Sequence, residues 1–217
     1  MLAMAMIHGE GALQTARRAE AARLGQRLQY LTIAWNSAEA VVSLMAGFLA
    51  GSVALMGFGF DSVIEVTSGG AALWRLSRES DEAKREVAER RALRIVGICF
   101  LTLAAYVLYE SVSDLVEGKA PQRSIVGIII AALSLIVMPL LVRYKRRIAT
   151  RLASGALEAE ARQTRVCAYL SAILLVGLGL NAWWGWWWAD LLAGLGMVPF
   201  IAWEGLEAVR GRTCCAD

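Results

Sequence analysis

Proline, histidine and cysteine are scarce in this chain, numbering three, one and four among 217 residues. So few prolines leave long helices uninterrupted. The single histidine, His8, lies on the N-terminal segment and is given no role, so a centre built from imidazoles is not available. Two of the cysteines, Cys99 and Cys167, fall inside apolar runs, and Cys214 and Cys215 stand at the tail, a distribution that gives no reason to expect disulfides. Internal repeats, low-complexity tracts and a soluble domain are also missing. No nucleotide-binding loop and no nucleophile with an adjacent base is found, so the chain is not expected to be an enzyme. The net charge is only +3, which does not argue for nucleic acid, and no nucleic-acid partner is expected.

What the chain does have is apolar length. Apolar residues make up 58% of it, and the mean hydropathy is +0.52. A helix needs about 20 such residues to cross the hydrocarbon of a bilayer. The pattern predicts six spans, over 29–51, 53–74, 93–115, 124–143, 160–181 and 186–208. The expected architecture is all-α: a cytosolic segment over 1–28, a six-helix transmembrane domain over 29–208 and a short cytosolic tail over 209–217. The start, MLAMAMIHGEG, has no basic region before its short apolar run. It reads as a cytosolic helix able to lie on anionic lipid rather than as a cleaved signal.

Charge predicts the orientation. With both termini cytosolic, all but Lys119 and Arg123 of the 22 Lys and Arg fall on the inner side. This is the positive-inside asymmetry, and it supports an even number of spans. Five of the eight tryptophans lie in NAWWGWWW, residues 181–188, where amphipathic rings favour the headgroup level of the outer face. The cytosolic stretch 78–94 pairs Asp81 with Arg85 and Glu86 with Arg90 at i,i+4, as expected of a charged helical hairpin.

Within this apolar frame a few ionisable residues stand out. GFGFDSVIEV places Asp61 and Glu65 one helical turn apart. From the start of their helix they lie about 12 and 18 Å deep at 1.5 Å per residue. Acids at such depth are costly and face a wet cavity or a partner. Two carboxylates that close raise the affinity of the pair for a proton or a divalent cation. The plainer alternative is that each is bonded to Asn36 or Ser62 and joins helices. On the fifth helix Gln163 and Cys167 repeat the i,i+4 spacing, and a thiolate with an amide oxygen can complete four-coordination around a borderline-soft ion. Counted from the helix ends, Cys167 lies about 21 Å from the outer face against 12 Å for Asp61, a mismatch of six residues. Glu39 with Asn36 on the first helix could take a coupled proton or line the path. Asp190, near the outer end of the sixth, could guide ions or cap its helix. Glu110 and Asp114 read as solvated.

The stretches AWNSAEAVVSLMAGFLAGSVALMGFGFDSVIE, LEAEARQTRVCAYLS and WWWAD, in six helices, resemble the membrane domain of the cation diffusion facilitators, over about residues 29–208. The resemblance implies exchange of zinc or a related divalent cation for protons. It also implies a site made by an (H/D)xxxD pair on helix two facing another on helix five. Those positions are Asp61 and Glu65, then Gln163 and Cys167, and the family's Ala-Asp-Ala entry to helix five falls on Ala159-Glu160-Ala161. Three departures follow. Helix five carries Gln and Cys in place of His or Asp, and a thiolate disfavours magnesium and calcium, leaving zinc first, then cadmium, cobalt or iron. Phe58 stands where an acid often precedes the helix-two pair. The family's cytosolic C-terminal domain has no counterpart after the sixth span, so a homodimer is expected to form through the membrane helices. The expected function is export of a divalent transition metal across a bacterial inner membrane in exchange for protons. A proton-coupled transporter of another substrate and a non-transporting metal sensor or assembly protein are the alternatives.

Overall fold

The computed structural model describes residues 2–76, 82–152 and 155–210. Six helices follow one another: α1 Leu2–Ala50, α2 Val53–Leu76, α3 Glu82–Glu117, α4 Ile125–Leu152, α5 Gly155–Trp184 and α6 Trp188–Val209. Among the described residues there is no strand. The expected N-terminal segment and first span are one continuous helix of 49 residues, about 73 Å long at 1.5 Å per residue.

Three turns close the end of the bundle that carries the tryptophans. Each uses a glycine in the left-handed region, Gly51 at φ 63°, Gly118 at φ 68° and Gly185 at φ 68°, which spares the Cβ clash any other residue meets there. The glycine lets the chain turn back and satisfy carbonyls at the helix end. Ser52 N–H reaches Gly47 O at 3.0 Å, and Lys119 N–H reaches Asp114 O at 2.9 Å. Ser52 and Ser124 then open the next helices, their Oγ accepting from Leu55 N–H at 3.1 Å and Gly127 N–H at 3.0 Å.

Five of the six helices are long and apolar enough to cross a membrane; α2, expected as the second span, is the exception. Its acids, serines and glycines lower its hydropathy. Packing compensates, because α2 lies against α1, α3, α5 and α6. The outer surface is apolar in return, with Val41, Met45, Phe48 and Leu49 of α1 exposed. The inner stripe of α1 is the reverse. Gln29, Thr32, Asn36, Glu39 and Ser43 recur at the three- and four-residue spacing of one helix face, and all are buried. At the far end Trp183, Trp184, Trp186 and Trp188 are exposed, and Trp186 stacks on Trp188 at 5.1 Å between centroids. Asp114, expected in solvent, is buried there beside Lys119 at 3.3 Å. Glu117, with Asp114, raises the pKa of the exposed Lys119 ammonium above its ordinary value.

Candidate metal centre

The acids of α2 point inward because the lipid-facing positions on the helix belong to other residues. Phe60 and Val63 are exposed, whereas Phe58, Asp61, Ser62 and Glu65 are buried. Asp61 and Glu65 are each 4% exposed, and Cys167 on α5 is 2% exposed.

Cys167 and Asp61 face each other at short range across the α2–α5 contact. The depth mismatch expected from sequence is therefore absent, and the reason lies in the helix ends. Antiparallel pairing matches Glu65 with Thr164 and Ser68 with Gln163. In that register Val53, the first residue of α2, stands opposite about Gly177. The remaining residues of α5 to Trp184 overhang α2 by about 10 Å. Depths measured from the two helix ends thus had different origins.

One turn nearer the other end of α2, the pairing changes. Thr164 Oγ donates to Glu65 Oε1 at 2.7 Å, and Ser68 Oγ donates to Gln163 Oε1 at 2.9 Å. Asp61 Oδ2, Glu65 Oε2 and Gln163 Nε2 are buried without a hydrogen-bond partner. Native interiors rarely tolerate such orphans without a purpose. In this arrangement, among the described residues, no three His, Cys, Asp or Glu side chains converge on one point. Asp61 and Cys167 supply a carboxylate–thiol pair, and Glu65, one turn along α2 from Asp61, is bonded to Thr164.

The remaining residues singled out from sequence sit elsewhere. Ser62, offered as a partner for the α2 acids, instead donates to Glu39 Oε2 at 2.9 Å. Asn36 is buried with neither side-chain polar atom partnered. Asp190 does not cap its own helix, where Trp187 holds the cap position without a side-chain bond. Its Oδ1 accepts from Ser52 Oγ at 2.7 Å, so it ties α6 to the start of α2. Glu160 Oε1 accepts from Gln29 Nε2 at 3.0 Å, and the same amide reaches Gly69 O at 3.1 Å.

Sequence reasoning missed three partners. Thr164 and Gln29 carry no charge and passed as span residues. Lys145 was counted with its basic neighbours as an inner-surface charge, yet it is 1% exposed. Its Nζ donates to Thr164 Oγ at 2.9 Å and lies 3.6 Å from Glu160 Oε2. The signal was available: Met138, Leu141, Lys145, Ile148 and Ala149 share one helical face, and all are buried.

Residues 30–211 match the family described as the cation efflux transmembrane domain. The cation-efflux pump FieF of Klebsiella pneumoniae is 25% identical over 198 residues, covering 87% of this chain and 66% of that protein. The pump of the same name from Salmonella paratyphi A gives the same identity and coverage. That of Salmonella typhi is 24% identical over 196 residues, covering 87% of this chain and 65% of its own. The chain thus spans slightly under two thirds of the length of these relatives.

Proposed function

The chain belongs to the cation efflux family of multi-pass membrane proteins, which are not enzymes, and from that premise we propose that it exports a divalent transition metal, zinc first, in exchange for protons. The observation that carries the reading is the meeting of Asp61 and Cys167 on facing helices, with the buried Asp61 Oδ2 and Glu65 Oε2 left without protein partners. A carboxylate, a thiolate and a second carboxylate, joined by the Gln163 amide oxygen, form a mixed O and S donor set. Zinc accepts it at about 2.0–2.3 Å per ligand, while magnesium and calcium do not favour sulfur.

Loading requires three local events. Asp61, Glu65 and the Cys167 thiol give up any protons they hold, because metal ligands bind deprotonated. Glu65 turns from Thr164, and Gln163 turns from Ser68. Reprotonation from the outer side reverses these steps and expels the ion, so proton entry drives export. α2 contacts four other helices, which lets relative tilting of α2 and α5 expose the site to one side and then the other. The membrane is the bacterial inner membrane, both termini face the cytosol, and a second copy packs through the membrane helices.

Reconstituted vesicles holding a zinc-sensitive dye test the reading. Zinc entry that depends on an imposed pH gradient in the wild type and is lost in Asp61→Ala is the expected result. Absence of gradient-dependent flux, or flux unchanged in that variant, overturns it.

A further inference from the structure

Lys145 has no place in the mechanism above, yet it is the only buried Lys or Arg among the residues whose side chains are described. A buried ammonium is costly unless something anionic or a transition between states requires it. Its surroundings are specific. Nζ donates to Thr164 Oγ at 2.9 Å, and Thr164 in turn faces two acceptors, Glu65 Oε1 at 2.7 Å and its own-helix carbonyl Glu160 O at 3.0 Å. A hydroxyl has a single hydrogen, so it serves one acceptor at a time. On its other side Nζ lies 3.6 Å from Glu160 Oε2, within ion-pair range, while that oxygen has no hydrogen-bond partner. Gln29 holds the opposite oxygen, Oε1, at 3.0 Å and keeps the carboxylate turned toward the lysine.

Resting on the transport reading, we propose that Lys145 is a tethered counter-cation of the metal site. It reaches Glu65 through Thr164 when the site is empty and withdraws onto Glu160 when a divalent cation takes Glu65. With the site empty, the ammonium polarises the Thr164 hydroxyl, which donates to Glu65 and offsets its charge. An arriving divalent cation displaces that hydrogen bond and repels the ammonium two hydrogen bonds away. Thr164 then turns to Glu160 O, and Nζ closes on the waiting Glu160 Oε2. No bond is made or broken; one positive charge moves a short distance between two carboxylates. The lysine competes with the cargo for Glu65, which weakens binding and eases release.

Zinc affinity of the purified full chain, measured by equilibrium dialysis at fixed pH and salt, tests this. Lys145→Gln is expected to bind zinc about tenfold more tightly, within the usual range of coupling between sites, and Lys145→Arg to bind as the wild type does. A packing role alone predicts weaker binding or none, so the sign separates the two accounts. Unchanged or weaker binding in a folded Lys145→Gln overturns the proposal. Should that variant fail to fold because Glu160 is left unpaired, the same ratio is read between Glu160→Gln and the double Lys145→Gln/Glu160→Gln. The double is expected to bind more tightly, and equal or weaker binding overturns the proposal. A wild type that binds no zinc overturns the transport reading and this one with it. A wild type that binds zinc while both comparisons show no tightening overturns this one alone.

Discussion

Asp61 and Cys167 meet across α2 and α5 although Asp61 is eight residues from the start of its helix and Cys167 is seventeen from the end of its own. The contact gives the acid pair of α2 a sulfur neighbour and gives the site its chemical character.

Replacing that sulfur with oxygen removes the soft donor and keeps the shape. Cys167→Ser is expected to lose at least about tenfold in zinc affinity and distinctly less in manganese affinity, since loss of a ligand costs no less than loss of its supporting partner. Equilibrium dialysis of both metals measures it. Equal losses would show that the thiolate does not select soft ions.

Binding that requires bare ligands has a fixed sign with pH. The affinity is greatest where the ligands are already deprotonated and falls as the solution is acidified, by up to about tenfold per pH unit for each proton displaced. Zinc titrations between pH 8 and pH 6, with proton release followed by a dye, give both the slope and the number of protons. A flat profile would leave no basis for exchange.

Asp190 and Ser52 form a clamp away from the proposed site, about 13 Å along α2 from Asp61 at 1.5 Å per residue. Asp190→Ala strands Ser52 and is expected to cost about 1.5–3 kcal/mol, read as a lower melting temperature in detergent. Zinc affinity should stay within about twofold, because an uncoupled site at this distance adds independently. A variant that melts normally but binds zinc poorly would make Asp190 part of the ion path.

Gly97 lies where α3 meets α6, and a Cβ there would stand 2.7 Å from Val209 N and 2.8 Å from Gly205 O. Backbone cannot yield as a flexible side chain does. Gly97→Ala is expected to destabilise the bundle by about 1–3 kcal/mol through overpacking. Gly70, with open space around it, is the control: Gly70→Ala should leave the melting temperature unchanged or raise it.

How much of this was legible beforehand depended on what hydropathy and spacing can encode. The six helices, the tryptophan turn and the shared face of Asp61 and Glu65 follow from periodicity and polarity. The partners of those acids did not. Spacing on one helix fixes a face but says nothing about register against another. The depths of Asp61 and Cys167 disagreed because α5 overhangs α2, a property of two helix ends together. Lys145 was misplaced because a basic run beside a span reads as one surface block, although its position on the buried face of α4 separates it from Arg143, Arg146 and Arg147. Ser62 was a reasonable partner for Asp61 by proximity in sequence; helix geometry turns it toward Glu39 instead.

The polar stripe of α1 also constrains how the protein is made. A nascent α1 on its own would present Gln29, Asn36 and Glu39 to acyl chains at a cost, and α2 on its own would present Asp61 and Glu65 likewise. Only Gly51 and Ser52 separate the two helices, so each can cover the other's polar side as soon as both have left the ribosome. The α1–α2 hairpin is therefore the smallest unit in which part of the stripe is already covered, through the Ser62–Glu39 bond and the reach of Gln29 to Gly69 O.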